Sequence, residues 1–365
     1  MLTIPASRPI KGGQYILNYG RAPPPLPRFA DSGDASPYDW LPPTPGNALL
    51  SCYYTRLEAE SLLHIEGPDA RTFLQGQVTC DVRNLSAGAA LPGSYCTVQG
   101  RVVCDFLLCA LAQDHLVLRM RRDIRLRSAA VLAKYIVFSK AKLQAEREDW
   151  LVAACWGADA ADALRDIFGA VPSTRYGASC GEGFAIVQLD AQGSQFECYL
   201  EQALAAAVAP RLELRMLPGE ERDWQALQIA SGIARIEATT SDEYVPQMLN
   251  YDVTGHISFS KGCYTGQEVV ARLHYRGKPK RRLYRGELAQ ADSASGRQTA
   301  AGDPIYSGDS AQAVGNIINC VATAQGQLAL LVTSTAAGAA VGLRLFDSNG
   351  PQLVTGPVPY AIPEK

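Results

Sequence analysis

Between residues 62 and 140 the hydrophobic pattern switches repeatedly between the two-residue period of a strand and the 3.6-residue period of a helix, and that irregular order restricts the fold classes open to this chain. A short apolar run, Leu62 to Ile65, leads into Gly67-Pro68, and Pro68 suits the first turn of a helix through Phe73 and Leu74. Gly88, Pro92 and Gly93 predict turns before two strands, 95–98 and 102–108, which are separated by Gln99-Gly100. A third strand, 116–120, precedes a helix carrying Arg121, Arg122, Arg125 and Arg127. The run K-Y-I-V-F-S-K, 134–140, is either the close of that helix or a further strand. Strand, helix, three strands and helix in that order predict an α+β sheet layered with helices.

Residues 141–220 form a second mixed unit, with strands at 150–154, 185–189 and 196–200, and helices at 159–168 and 202–208. A ferredoxin-like insert is expected there. A helix at 223–229 stops at Ser231-Gly232, and 235–250 has no strong period, which predicts an ordered loop. After Arg282 short strands are punctuated by Gly302-Asp303-Pro304, Gly308, Gly315 and Gly326, as in a small β-barrel. Residues 1–45 hold ten of the 22 prolines and read as a flexible leader.

The most chemically specific stretch is 261–268, K-G-C-Y-T-G-Q-E. Thr265 and Glu268 have capping-box spacing, so Thr265 is expected as an N-cap, with the preceding 257–259 as a strand. Gly262 and Gly266 allow a tight turn. Cys263 then lies near the positive end of a helix dipole with Lys261 beside it in sequence, and both features favour thiolate over thiol. A buried cysteine at an ordinary helix corner is the alternative on spacing alone.

This string resembles the signature of the YgfZ family, folate-binding relatives of the glycine-cleavage T-protein. F-L-Q-G-Q-V-T-C-D-V and K-Y-I-V-F-S-K resemble two further signatures of that family, and the likeness covers about 46–365. It implies interleaved α/β folate-binding domains with a ferredoxin-like insert and a C-terminal β-barrel. The expected boundaries are a core of 46–140 plus 221–280, an insert of 141–220 and a barrel of 281–365. It further implies tetrahydrofolate as cofactor and iron-sulfur enzymes that methylthiolate tRNA as partners. Cys263 and Lys261 are then the working residues. Trp224, in W-x-A-L-x-I-x-x-G, is expected to line the folate pocket together with Asp105, Tyr264, Gln267, Glu268 and Arg272. The family's other pocket tryptophan has no counterpart in E-A-E-S-L-L-H-I-E-G. An aminomethyltransferase dependent on Asp105, and a non-catalytic adaptor for an iron-sulfur or tRNA-modifying enzyme, are the competing functions.

Seven cations fall within fourteen residues at 272–285, interleaved with Tyr275 and Tyr284. They suit either tRNA phosphates or the glutamate tail of a folate, and a solvated linker face is the plain alternative. Net charge of −2 argues against coating nucleic acid by overall charge. No apolar run approaches a membrane span, and no secretory signal is visible, so a cytoplasmic location is expected. The ten cysteines form no C-x-x-C pair and the four histidines fall singly, so no metal site is expected.

Overall fold

The computed structural model describes residues 51–289, 297–307, 312–338 and 342–363. The leader and Gly308 lie outside the described residues. The chain opens with β1 (Cys52–Arg56), β2 (Glu60–Glu66), α1 (Ala70–Gln75), β3 (Ala90–Cys96), β4 (Val102–Ala112), β5 (His115–Arg121), α2 (Arg122–Leu132) and β6 (Lys142–Gln144). It continues through β7 (Trp150–Gly157), α3 (Ala160–Phe168), β8 (Ala178–Gly181), β9 (Phe184–Gln188), β10 (Gln195–Glu201), α4 (Gln202–Arg215), β11 (Leu217–Pro218) and α5 (Glu221–Ala230). A long irregular loop precedes α6 (Gln267–Arg276). The C-terminal part comprises β12 (Arg281–Ala289), β13 (Pro304–Ser307), β14 (Gly315–Thr323), β15 (Gly326–Ser334), α7 (Thr335–Gly338), β16 (Leu343–Leu345) and β17 (Gln352–Gly356).

Three sheets result. The first runs β3-β4-β5-β2-β6, the second β11-β1-β7-β10-β9-β8, and the third is a closed barrel, β12-β15-β14-β13-β16-β17. The first two interleave along the chain, since β1 pairs with β7 of the second sheet while β6 pairs with β2 of the first. The expected α+β class, T-protein-like interleaving and terminal barrel are all present.

Two-residue periodicity sorts each strand between layers. On β4, Phe106, Leu108 and Ala110 join the core beneath the first sheet, whereas Leu107 and Cys109 face the second sheet. On β7, Val152, Ala154 and Trp156 face the first sheet, and Ala153 and Cys155 face α3 and α4. Fully buried Trp156 anchors the layer between the sheets, with Tyr53 and Trp224 at 5.7 and 5.8 Å between ring centroids. Burying one such ring contributes roughly 2–3 kcal/mol.

Three local expectations are corrected. Pro92 and Gly93 are not turn residues but lie within β3. That is an edge strand, where a missing N–H is tolerated, and a Cβ on Gly93 would press into Phe106 and Cys80 at 2.7 Å. The run 134–140 is neither strand nor α-helix; its centre is a 3-10 turn that leaves Val137 and Phe138 exposed. Residues 257–259 form no strand, because only Ser258 N, donating to Thr79 O at 2.9 Å, bridges to a neighbour.

The same periodicity puts charge inside the molecule. Glu60 on β2, Asp105 on β4 and Arg119 on β5 have the parity that faces the second sheet, and all are buried. Arg235, from the loop after α5, donates to Asp105 Oδ2 at 2.6 Å and to both Glu60 oxygens at 3.1 and 3.3 Å. Arg119 Nε reaches Glu197 Oε2 of β10 at 2.6 Å, linking the sheets. Burial opposes ionisation of Glu60, but Arg235, Arg119 and Arg121 outweigh it and hold its carboxyl down at about 2. Removing one partner from such a buried set strands the others, so Arg235→Met is expected to cost about 3–5 kcal/mol. Arg127 pairs with Asp242 across a largely exposed surface, and Arg127→Met should cost no more than about 1 kcal/mol. Chemical denaturation of the two variants measures the difference; equal losses would mean that burial does not govern this network.

Candidate functional site

Two places gather the residues singled out in the sequence. At the first, the signature corner, Gly266 is the N-cap of α6 and adopts a left-handed φ of 81°. A Cβ there would lie 2.3 Å from Thr97 O, so the position requires glycine twice over. Thr265 is therefore not the cap as expected. Its hydroxyl donates to Gln77 Oε1 at 3.3 Å, and no capping box forms. Gly262 needs no special freedom, since a side chain there would meet nothing within 4 Å. Val270, fully buried, seats the helix, and Gln247 Nε2 donates to its carbonyl at 2.7 Å.

Lys261 and Cys263 face opposite ways. The lysine is 5% exposed, and its ammonium donates to the carbonyls of Gln75, Val78 and Cys80 at 2.8, 2.5 and 2.8 Å. Burial lowers its pKa to about 8, which still leaves it charged at neutral pH. All three of its protons are committed to closing the turn after α1, so Lys261 positions the corner by clamping that turn beneath it. Cys263 is the exposed member of the ten cysteines; Cys180 and Cys320 are half-buried and the rest are buried. Tyr264 is buried under the Lys261 ammonium, 5.2 Å from ring centre to Nζ. Glu268 and Arg272 are exposed and Gln267 is half-buried on α6, where Glu268 complements the positive end of the helix.

The second place is a cleft where the two α/β sheets meet the barrel. Leu57, Glu60 and Arg121 line it from the first sheet's side, Trp224, Gln225, Gln228 and Ile229 from α5, and Asn319 and Cys320 from β14. Ile233, Arg235 and Glu237 close it from the following loop. Asn319 locks that loop to the barrel: Arg235 N donates to its Oδ1, and its Nδ2 donates to Arg235 O, both at 2.8 Å. Burial pushes the Glu237 carboxyl up, against the nearby Arg121 guanidinium. Asp105 stands behind Arg235, both oxygens engaged by Arg235 Nε and Ile236 N at 2.6 Å, and does not line the cleft.

Of the eight site residues named from sequence, Trp224 reaches the cleft, Asp105 supports it, and the other six belong to the corner. Sequence reasoning missed Glu60, Arg121, Arg235, Glu237 and Asn319. The string R-I-E-A at 235–238 was the available signal, hidden in a stretch without periodicity. Glu60 lies in the string where the resemblance wants an aromatic. The basic run divides as well. Arg282 is buried and paired with Asp252 at 2.6 Å, and Arg285 donates to Pro357 O at 2.9 Å, while Arg272, Arg276, Lys278 and Lys280 stay exposed beside Tyr275. No helix among the described residues is long and apolar enough to cross a membrane.

Residues 57–178 match the family described as the GCVT N-terminal domain. The tRNA-modifying protein YgfZ of Serratia proteamaculans (strain 568) is 30% identical over 312 residues, covering 85% of this chain and 92% of that protein. The protein of the same name from Sodalis glossinidius (strain morsitans) is 31% identical over 314 residues, covering 84% and 93%. Among solved structures, the glycine cleavage system aminomethyltransferase T of Bartonella henselae superposes with a TM-score of 0.66 at 17% identity, covering 84% of this chain and 85% of that one, a likeness of fold.

Two expectations follow for the corner. Lys261→Met leaves three inward carbonyls without a donor and should cost about 3 kcal/mol or more. Cys263→Ala, at an exposed position, should stay within about 0.5 kcal/mol; denaturation midpoints separate them, and a stable Lys261→Met would remove the clamp. The second concerns His256, buried against Tyr251 and hydrogen-bonded to Thr254 Oγ1 at 2.9 Å. Burial lowers its pKa from 6.5 to about 4. The unfolded chain then binds more protons between those values, so stability present above pH 6.5 is lost as pH falls towards 4. Denaturation midpoints at pH 7.5, 6 and 5 should decline in that order, and His256→Gln should flatten the trend. A profile as steep in the variant would place the acid sensitivity elsewhere.

Proposed function

The chain belongs to the YgfZ family, and on that premise we propose that it is a tetrahydrofolate-binding protein that supports iron-sulfur enzymes of tRNA methylthiolation, with Cys263 as its working thiol. The observation that carries the folate half is the chemistry of the cleft. A pterin is a flat ring with N–H donors along one edge and a carbonyl acceptor beside them. Leu57, Ile229 and the Trp224 ring supply apolar wall, Glu60 and Glu237 supply acceptors, and Arg121, Gln225 and Gln228 supply donors. The residues present therefore fit the ring. Bound tetrahydrofolate supplies a carrier for one-carbon units. Glu237, whose carboxyl burial pushes up, gains from an incoming N–H donor that stabilises its charged form.

Cys263 is a thiol presented to a partner rather than to the cleft: it is exposed, and a clamped lysine and a glycine-dependent cap hold its loop in place. The exposed cations Arg272, Arg276, Lys278 and Lys280 with Tyr275 at the far end of α6 suit contact with tRNA phosphates and a base. The aminomethyltransferase alternative loses support, since it needs a carboxylate free in the cleft at Asp105.

Calorimetric titration of the purified protein with tetrahydrofolate, followed in parallel by tryptophan fluorescence, tests the first half. Glu237→Gln should weaken binding about tenfold, the equivalent of roughly one charged hydrogen bond. Cells lacking the protein test the second half: the wild type should restore methylthiolated tRNA nucleosides and Cys263→Ala, though folded and folate-binding, should not. Absence of any folate affinity would sink the cleft assignment, and full restoration by Cys263→Ala would sink the role of the thiol.

A further inference from the structure

The layer between the two α/β sheets has a second polar end. The parity that directs Glu60 and Leu62 inward also directs His64 and Glu66 on β2, and Arg119, Val117 and His115 on β5. Leu62 and Val117 are buried between the carboxylate–guanidinium network at one end and a cluster of His64, Glu66 and His115 at the other. Antiparallel pairing sets Glu66 opposite His115 and His64 opposite Val117, so His64 and His115, 51 apart in sequence, meet on the diagonal.

His64 Nδ1 lies 2.8 Å from His115 Nε2, which in turn lies 3.3 Å from Glu66 Oε1. All three ligand atoms fall within 4.8 Å of one another. Hydrogen bonding leaves this arrangement frustrated. A ring nitrogen carries either one proton or one lone pair, yet His115 Nε2 faces both a second imidazole and an acceptor-only carboxylate. His64 is fully buried, and its other nitrogen, Nε2, has no partner. Two neutral imidazoles and a carboxylate are what a divalent transition metal takes from a protein.

We propose that His64, Glu66 and His115 form a binding site for a divalent transition metal of the Zn²⁺ type. Bonds of 2.0–2.1 Å set neighbouring ligand atoms in a tetrahedral site roughly 3.3 Å apart, which the 3.3 Å His115–Glu66 spacing already matches, while the 2.8 Å His64–His115 pair has to open by about half an ångström to reach that value. The cluster opens to solvent through Glu66 and His115, whose side chains are 35% and 19% exposed. Gln144 and Arg147, which both donate to Glu66, also line a shallow groove with Asp149 next to the cluster. Two groups already hold Glu66. Gln144 Nε2 donates to Oε2 at 2.7 Å and can stay while Oε1 takes the metal; Arg147 Nη1 donates to Oε1 at 2.6 Å, but the same guanidinium pairs with Asp149 at 2.6 and 2.9 Å, so it keeps a partner when the metal displaces it. This site rests on neither the folate nor the thiol assignment.

The test is calorimetric titration of the full chain with Zn²⁺, and Co²⁺ visible absorption, in a Cys263→Ala background that removes the exposed thiol. One equivalent should bind, with cobalt d–d bands and no thiolate charge-transfer band. His115→Gln and Glu66→Gln, both at part-exposed positions that leave the fold intact by circular dichroism, should each weaken binding by about tenfold or more. Arg147→Gln should tighten it. No saturable binding, a thiolate band, or an affinity unchanged by His115→Gln would overturn the proposal.

Discussion

Arg235 is the residue on which the arrangement of the three sheets turns. Its guanidinium spans Asp105 of β4 and Glu60 of β2, and its backbone is held on both sides by Asn319 of the barrel. A buried charge of this kind contributes little net stability against an apolar replacement set, because desolvation offsets the attraction. What it imposes is a condition on position. The loop after α5, the first sheet and the barrel meet in a single relation, since any other leaves a buried charge unpaired. The cleft is the space left where those three bodies fail to close, and its lining is polar because the residues that fix the relation are its walls.

The amino-acid pattern carries the fold further than it carries the sites. Strands at 62–65, 102–108, 116–120 and 196–200 and helices at 159–168 and 223–229 were legible because each buries one face and so has a period. The four-residue β8 and the two-residue β11 were not legible, being too brief to show one. At the corner, the string 261–268 does hold the turn into α6, but local rules misassigned its parts. A capping box requires only spacing, whereas Gly266 with its left-handed φ and the approach of Thr97 O takes the cap away from Thr265. Lys261 is close to Cys263 in sequence, but three carbonyls from the turn after α1 bind it, and that turn is nearly two hundred residues upstream.

The polar residues of the cleft and of the histidine cluster share one reason for having been invisible. Glu60, Arg235, His64 and His115 each occur alone in sequence, and their meaning depends on which strands pair and in which register. Strand register is set by the whole hydrophobic pattern, and a slip of one residue would send Glu60, His64 and His115 to the opposite face. Isolated polar residues inside apolar strands are therefore informative only once partners are known: Glu66 beside His115 is a consequence of β2 pairing with β5, not of any motif.

The corner and the cleft are separate in space but not mechanically independent. The turn before β4 packs on Gly266, and three residues into β4, roughly 10 Å along the strand, Asp105 holds Arg235. Between them Val102 N donates to Tyr244 O at 2.8 Å, Asp242 N donates to Val102 O at 2.9 Å, and Ser241 Oγ donates to Val103 O at 2.7 Å. The loop that begins in the cleft at Glu237 is thus sewn along β4 to Gln247, which holds α6 through the Val270 carbonyl. A ligand that orders Glu237 acts on a segment whose other end supports the helix behind Cys263. The links are one close backbone contact at Gly266 and hydrogen bonds of 2.7–2.9 Å, so the frame holds the corner and the cleft wall in one fixed relation.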